Sequence, residues 1–109
     1  DIAIGPARES KPMIRHIAFF SAIDPNDLDE IEAGLWILKD NPHAVAFAVH
    51  RNLNLDEIPG PHPDFVVMAD IKDEADLAAY KAHPLYAESI RRVRPLRDIR
   101  VAADMVIPD

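Results

Sequence analysis

Apolar and polar positions along the chain fall into stretches of two different periods. The run MIRHIAFFSAI, residues 13–23, is apolar almost throughout and rich in aromatic and β-branched side chains, which predicts a strand. By alternation, Ile17 and Phe19 point one way and His16, Ala18 and Phe20 the other. Neither set is polar enough to face water, so this strand is expected to be buried on both sides. Over residues 24–42 the period changes. Leu28, Ile31, Leu35 and Leu38 recur at spacings of three and four, the apolar stripe of a helix. Asp24 stands where a cap is needed, Pro25 suits the first turn, and acidic residues crowd the N-terminal half, where the helix dipole favours them. Asn41-Pro42 ends the pattern.

Residues 43–53, HAVAFAVHRNL, predict a second strand, and residues 54–63, with three prolines and a glycine, a loop. DFVVMADI, residues 64–71, predicts a third strand with Phe65, Val67 and Ala69 on one face and Val66, Met68 and Asp70 on the other. A short helix follows over 73–82, carrying Leu77 and Tyr80 on one side. His83 precedes Pro84 and is pushed out of the helical region, while Pro84 suits the first turn of another helix over 84–94, ended by Pro95. The last strand covers 98–107. The order is β-α-β-β-α-β with the second helix broken in two, the ferredoxin-like split βαβ pattern of the α+β class. It predicts a four-stranded antiparallel sheet with helices on one face. Since the first strand is apolar on both sides, the second face needs a cover of its own. A two-fold copy of the same sheet supplies one, so the chain is expected to be a homodimer packed sheet on sheet.

A length of 109 residues sets one domain and one core. The expected domain is 13–109, with Met13 reading as a native start and residues 1–12 as a loosely held arm or a remnant in front of it. A formal charge of −7 argues against nucleic acid as a partner. Residues 91–100, RRVRPLRDIR, run against that balance with five arginines and one aspartate. They read as a solvated helix C-terminus favoured by the dipole, with an anion site as the alternative. Without cysteine there is no disulfide, thiol catalysis or thiolate metal site, which fits a cytoplasmic protein. No apolar run approaches the ~20 residues needed to span a membrane, and the start has no signal-peptide core. Three glycines leave no phosphate loop. His62 and Asp64 could share a divalent ion, but two ligands do not make a site, and neither metal nor cofactor is expected.

Several short motifs, in order and at fixed spacing, resemble the stress-responsive A/B barrel (Dabb) family: MIRHIAFF opening the domain, HRNL closing the second strand, YKAHPLY between the helices, RPL near residue 95 and VAADM in the last strand. The resemblance runs from about Met13 to Ile107. It implies a dimeric α+β barrel of ferredoxin-like halves, each with an apolar pocket between sheet and helices. The family's enzymes include plant polyketide cyclases and a hydroxynitrile lyase. A pocket of that kind would bind, and as an enzyme transform by acid/base chemistry, a small aromatic or carbonyl-bearing metabolite.

In cyclase-like members the helix junction reads Tyr, then His-Pro-x-His, with the second histidine working as acid/base and the tyrosine assisting. Tyr80 matches that tyrosine, His83 the first and mainly structural histidine, and Tyr86 stands where the working histidine would be. His16 matches a first-strand histidine of the family, Phe65 replaces one early in the third strand, and Asp104 falls where the family often has Asp. His50 takes a place where glycine is common, near the rim. The pocket is thus retained while the key cyclase base is lost.

The candidate catalytic residues are His16 to carry a proton and Tyr80 and Tyr86 to hydrogen-bond the substrate oxygen; Ala18, Phe20, Phe65, Val67, His83 and Asp104 are the pocket and structural candidates. A tyrosine titrates near pH ~10, so either would need a neighbouring cation to act as a base. The plainer reading puts both tyrosines in the core with their hydroxyls bonded. As an enzyme the chain would be a cofactor-free lyase, isomerase or cyclase; the alternative is a non-catalytic stress-associated module whose assembly is its function. The interior discriminates. An open apolar cavity reaching His16, Tyr80 and Tyr86 favours the first, and one packed shut by Phe20, Phe65, Leu35 and Trp36 the second. Ala18, Ala69 and Ala102 are small enough to leave room.

Overall fold

Each apolar run becomes a strand and each three-four stripe a helix in the computed structural model, which describes residues 12–108. Strand β1 (Met13–Ala22) is followed by α1 (Leu28–Trp36), β2 (Ala44–Arg51), β3 (Phe65–Ile71), α2 (Glu74–Ala82), α3 (Pro84–Val93) and β4 (Arg97–Ile107). The sheet order is β2-β3-β1-β4 with every neighbouring pair antiparallel. This is the ferredoxin-like arrangement. The arm expected over residues 1–12 lies outside the described residues except for Pro12, which precedes β1.

The single helix expected over 24–42 is in three pieces. Tight turns at Pro25–Asp27 and Ile37–Asp40 flank α1, a common way for helix ends to narrow. The Asp24 carboxylate accepts from the Asn26 backbone N–H at 2.9 Å. At the other end Asn41 is buried; its amide donates to the Tyr80 carbonyl at 3.0 Å and its oxygen accepts from the His43 N–H at 3.1 Å. That side chain ties the end of the first helical segment to α2. The stripe keeps its face throughout, with Ile31, Leu35 and Leu38 all buried.

Between α2 and α3 the backbone of His83 is extended (φ −71°, ψ 143°), as a residue before proline must be. Its Nδ1 accepts from the Leu85 N–H at 3.1 Å, so the imidazole caps α3.

The helix-facing side of the sheet carries Ala18 and Phe20 from β1, Val49 from β2, and Phe65, Val67 and Ala69 from β3, all buried. Helices α1 and α3 pack tightly at Gly34, where an added Cβ would lie 2.7 Å from Val93 Cγ2, and there Ser89 Oγ donates to the Gly34 carbonyl at 2.8 Å.

The other face of the sheet is uncovered. Ile17, Phe19, Val66 and Met68 are half-buried there, and Val101 and Met105 of β4 are exposed. Arg15 and Asp70 sit directly opposite each other among these apolar side chains and form a two-pronged ion pair at 2.8 and 3.0 Å. The expectation that β1 is apolar on both sides therefore holds except at Arg15.

Candidate functional site

Between the sheet and the helices lies a cavity of about 320 Å³. His16, Ala18 and Val67 line it from the sheet, and Leu38, Tyr80 and Tyr86 from the helical layer. The small side chain of Ala18 leaves space on the sheet. Of the other alanines expected to do so, Ala69 is packed in the core and Ala102 is exposed on β4, and neither lines the cavity. The volume is at the lower end of what small-molecule sites occupy.

His16 is buried, and its Nδ1 lies 2.7 Å from Asp104 Oδ1. The two residues face each other in the β1–β4 register, so sheet pairing itself brings imidazole and carboxylate together. The carboxylate can only accept, so the bond places the hydrogen on Nδ1 and leaves Nε2 as the free lone pair. The Tyr80 ring stands edge-on to His16 at 6.4 Å and to Tyr86 at 5.5 Å. Burial, with a smaller contribution from Tyr86, pushes the Tyr80 phenol well above the ordinary tyrosine range, so it remains a hydrogen-bond donor at neutral pH.

The other sequence candidates divide. Phe20 lines the cavity, with the Arg100 guanidinium 6.0 Å from its ring centroid. Phe65 is fully buried in the neighbouring core and is not among the lining residues; its ring lies 5.4 Å from the Arg51 guanidinium. His83 caps α3 and meets His43 edge-on at 5.9 Å, also away from the lining. Trp36, one of the residues expected to close the interior, faces outward and donates from its indole to Glu32 at 3.4 Å. Packing thus leaves the cavity open. His50 is exposed near the end of β2. Asp64 is engaged by backbone, accepting from the Ala22 N–H at 2.8 Å. No group of three or more metal-ligating side chains occurs among the described residues.

Sequence reasoning held the cationic side of the site only as its second choice, the anion site offered as the alternative for residues 91–100. Arg94, Arg97 and Arg100 line the cavity together with Ser89, Ile90 and Val93. The signal was the arginine-rich run, for which a solvated helix end was the preferred reading. Arg91 and Arg92 fit it, both reaching Glu88 on the surface of α3; Arg94 and Arg100 are also exposed but line the cavity, and Arg97 is half-buried there.

No curated protein matches the sequence. Solved structures do match. A dimeric ferredoxin-like protein of unknown function from Thermobifida fusca is 27% identical, covering 88% of this chain and 92% of its own, with a TM-score of 0.75. A Dabb family protein with a ferredoxin-like fold from Mesorhizobium loti is 20% identical, covering 91% and 100%, also at 0.75. SnoaB, a cofactor-independent oxygenase from Streptomyces nogalater, is 15% identical, covering 85% and 90%, at 0.63, and shares the fold. The sequence model of the stress responsive A/B barrel domain matches residues 14–107, which include every strand residue but Met13 as well as all three helices and the cavity between them, and the chain belongs to that family.

Proposed function

We propose that this chain is a homodimer whose protomers each bind a small aromatic or carbonyl-bearing metabolite in the cavity under the helices and move a proton on it without a cofactor. The observation that carries the reading is the His16–Asp104 pair at the wall of an apolar cavity. Asp104 orients the imidazole and stabilises it when it gains a proton, as a carboxylate does behind a catalytic histidine. The free Nε2 then takes a proton from a carbon next to the substrate carbonyl. Charge develops on the carbonyl oxygen, and the protonated Tyr80 hydroxyl donates to it. Burial of His16 and Tyr80 shields both groups from bulk water, which strengthens both interactions. Proton transfer of this kind serves a lyase, an isomerase or a cyclase.

Self-association is supported by the uncovered apolar sheet face and by the dimeric description of the Thermobifida fusca relative. Native mass spectrometry of the protein isolated from its own host tests the binding and the assembly together. A dimer retaining a small organic molecule is expected; a monomer carrying nothing would overturn the reading.

A further inference from the structure

Among the described residues, the arginines are partnered with one group of exceptions. Arg15 pairs with Asp70, Arg51 with Asp29 and Glu32, and Arg91 and Arg92 with Glu88. Arg94, Arg97 and Arg100 form no ion pair with the described residues, and all three line the cavity that His16 also lines. Their contacts are weak. Arg97 donates to the Asp98 carbonyl and Arg100 to the Tyr86 hydroxyl, each at 3.4 Å. Asp104 lies on the same face of β4 but is held by His16. In a chain of net charge −7, a cationic cluster without counter-ions among the described residues is a specific local arrangement.

A sheet irregularity builds it. Phe20 pairs with Arg100 but Ala22 pairs with Arg97, so β4 carries one extra residue opposite Ser21. Such a bulge re-aims side chains. Ser21 is buried and its Oγ accepts from the Ile99 N–H at 2.9 Å, which fixes the bulge. Regular alternation would put Arg97 and Arg100 on opposite faces of the sheet; the bulge brings both to the cavity. Arg94 joins them from the end of α3.

We infer that the ligand of this cavity is an organic carboxylate, with its apolar body against Ala18, Leu35 and Tyr80 and its carboxylate held by Arg97, Arg100 and Arg94. The inference rests on the proposal that the cavity is a ligand site. Guanidinium groups match carboxylates two bonds at a time in charge-assisted bonds, and Arg97, half-buried, holds the inner position while Arg94 and Arg100 are exposed. The carboxylate would replace the missing counter-ion, and Arg100 would bring the Tyr86 hydroxyl to the same group.

Isothermal titration with naphthoate and naphthamide, which share a body and differ in charge, tests this on the wild-type protein and on the Arg97→Gln/Arg100→Gln variant. Naphthoate is expected to bind the wild type at least about tenfold more tightly than naphthamide, and the double substitution to bring that ratio close to one. Equal affinities in the wild type, or a ratio unchanged by the substitutions, would overturn the carboxylate and leave the pocket standing. Absence of binding by both probes would overturn the pocket and the inference with it.

Discussion

The imidazole of His16 and the carboxylate of Asp104, far apart in sequence, are directly opposed across β1 and β4 and meet at 2.7 Å. The histidine is buried and the aspartate side chain is 42% exposed, so the pair joins the wall of the cavity to solvent at the edge strand β4. Sheet register thus selects which nitrogen of His16 carries hydrogen, and that choice decides which nitrogen can act as a base.

Replacing the aspartate with its amide tests this. Asp104→Asn keeps the shape but lets the side chain donate as well as accept, so the imidazole no longer has to place its hydrogen on Nδ1. Nitrogen NMR of the histidine ring is expected to show the Nδ1–H form dominant in the wild type and the Nε2–H form gaining in the variant. Loss of stability should be modest, about 1 kcal/mol, because one partner is partly solvated. An unchanged tautomer would show that Asp104 does not set the protonation of His16.

The fold was legible because its signals are local. Alternation at Phe65, Val67 and Ala69, the stripe through Ile31, Leu35 and Leu38, and the proline after His83 each determine a piece of backbone with no knowledge of the rest. The site was legible only in part. His16, Tyr80 and Tyr86 could be named as candidates from the family likeness, but the partnership of His16 with Asp104 depends on how β1 and β4 pair, which no local pattern encodes. The arginine run was visible and its division was not. Glu88 holds the first two members on the surface, and the bulge opposite Ser21 brings in the later ones, a displacement of one residue that hydrophobic periodicity cannot show. The ends of the first helix were also overextended, since capping by Asp24 and Asn41 acts on tight turns rather than on α1 itself.

At the crossing of α1 and α3, Gly34→Ala sets two effects against each other. Alanine favours a helix interior over glycine by about 1 kcal/mol. The new methyl would lie 2.7 Å from Val93 Cγ2 and 3.3 Å from Arg92 Cβ, an overpacking that costs about 1–3 kcal/mol. A net loss of up to about 2 kcal/mol is expected by urea denaturation. Combining it with Val93→Ala should show coupling, the double variant being more stable than the sum of the two single losses implies.

On the uncovered face, Arg15 and Asp70 make the test of self-association. Their hydrogen bonds raise the guanidinium above its ordinary value, and their side chains are 32% and 17% exposed in the single chain. Under a second copy the pair would be fully desolvated. Asp70→Leu then leaves a lone cation inside an apolar interface, and sedimentation is expected to show dimerisation weakened by about tenfold or more. Arg15→Met together with Asp70→Leu removes both charges and should return the dimer to near wild-type affinity. If neither variant alters the sedimentation of a stable dimer, the copies do not meet on this face.

Tyr80 gives the protein a signature at high pH. Burial raises its folded-state pKa, whereas in the unfolded chain the phenol titrates near pH ~10. Below that pH both states hold the proton and the residue adds no slope. Above it the unfolded chain loses the proton while the folded chain keeps it, so the unfolded state is favoured and stability falls as pH rises. One proton corresponds to a slope of about 1.4 kcal/mol per pH unit at most. Tyr80→Phe retains the ring and removes the titrating group, so the difference in stability between wild type and variant is expected to be flat below about pH 10 and to shift in the variant's favour above it. Urea denaturation across that range measures the difference with the titration of lysines and the other tyrosine common to both proteins. A difference that stays constant through the alkaline range would mean that the Tyr80 hydroxyl is hydrated as well in the fold as in the open chain, and with it that the cavity is not the dry site in which it could serve as a proton donor.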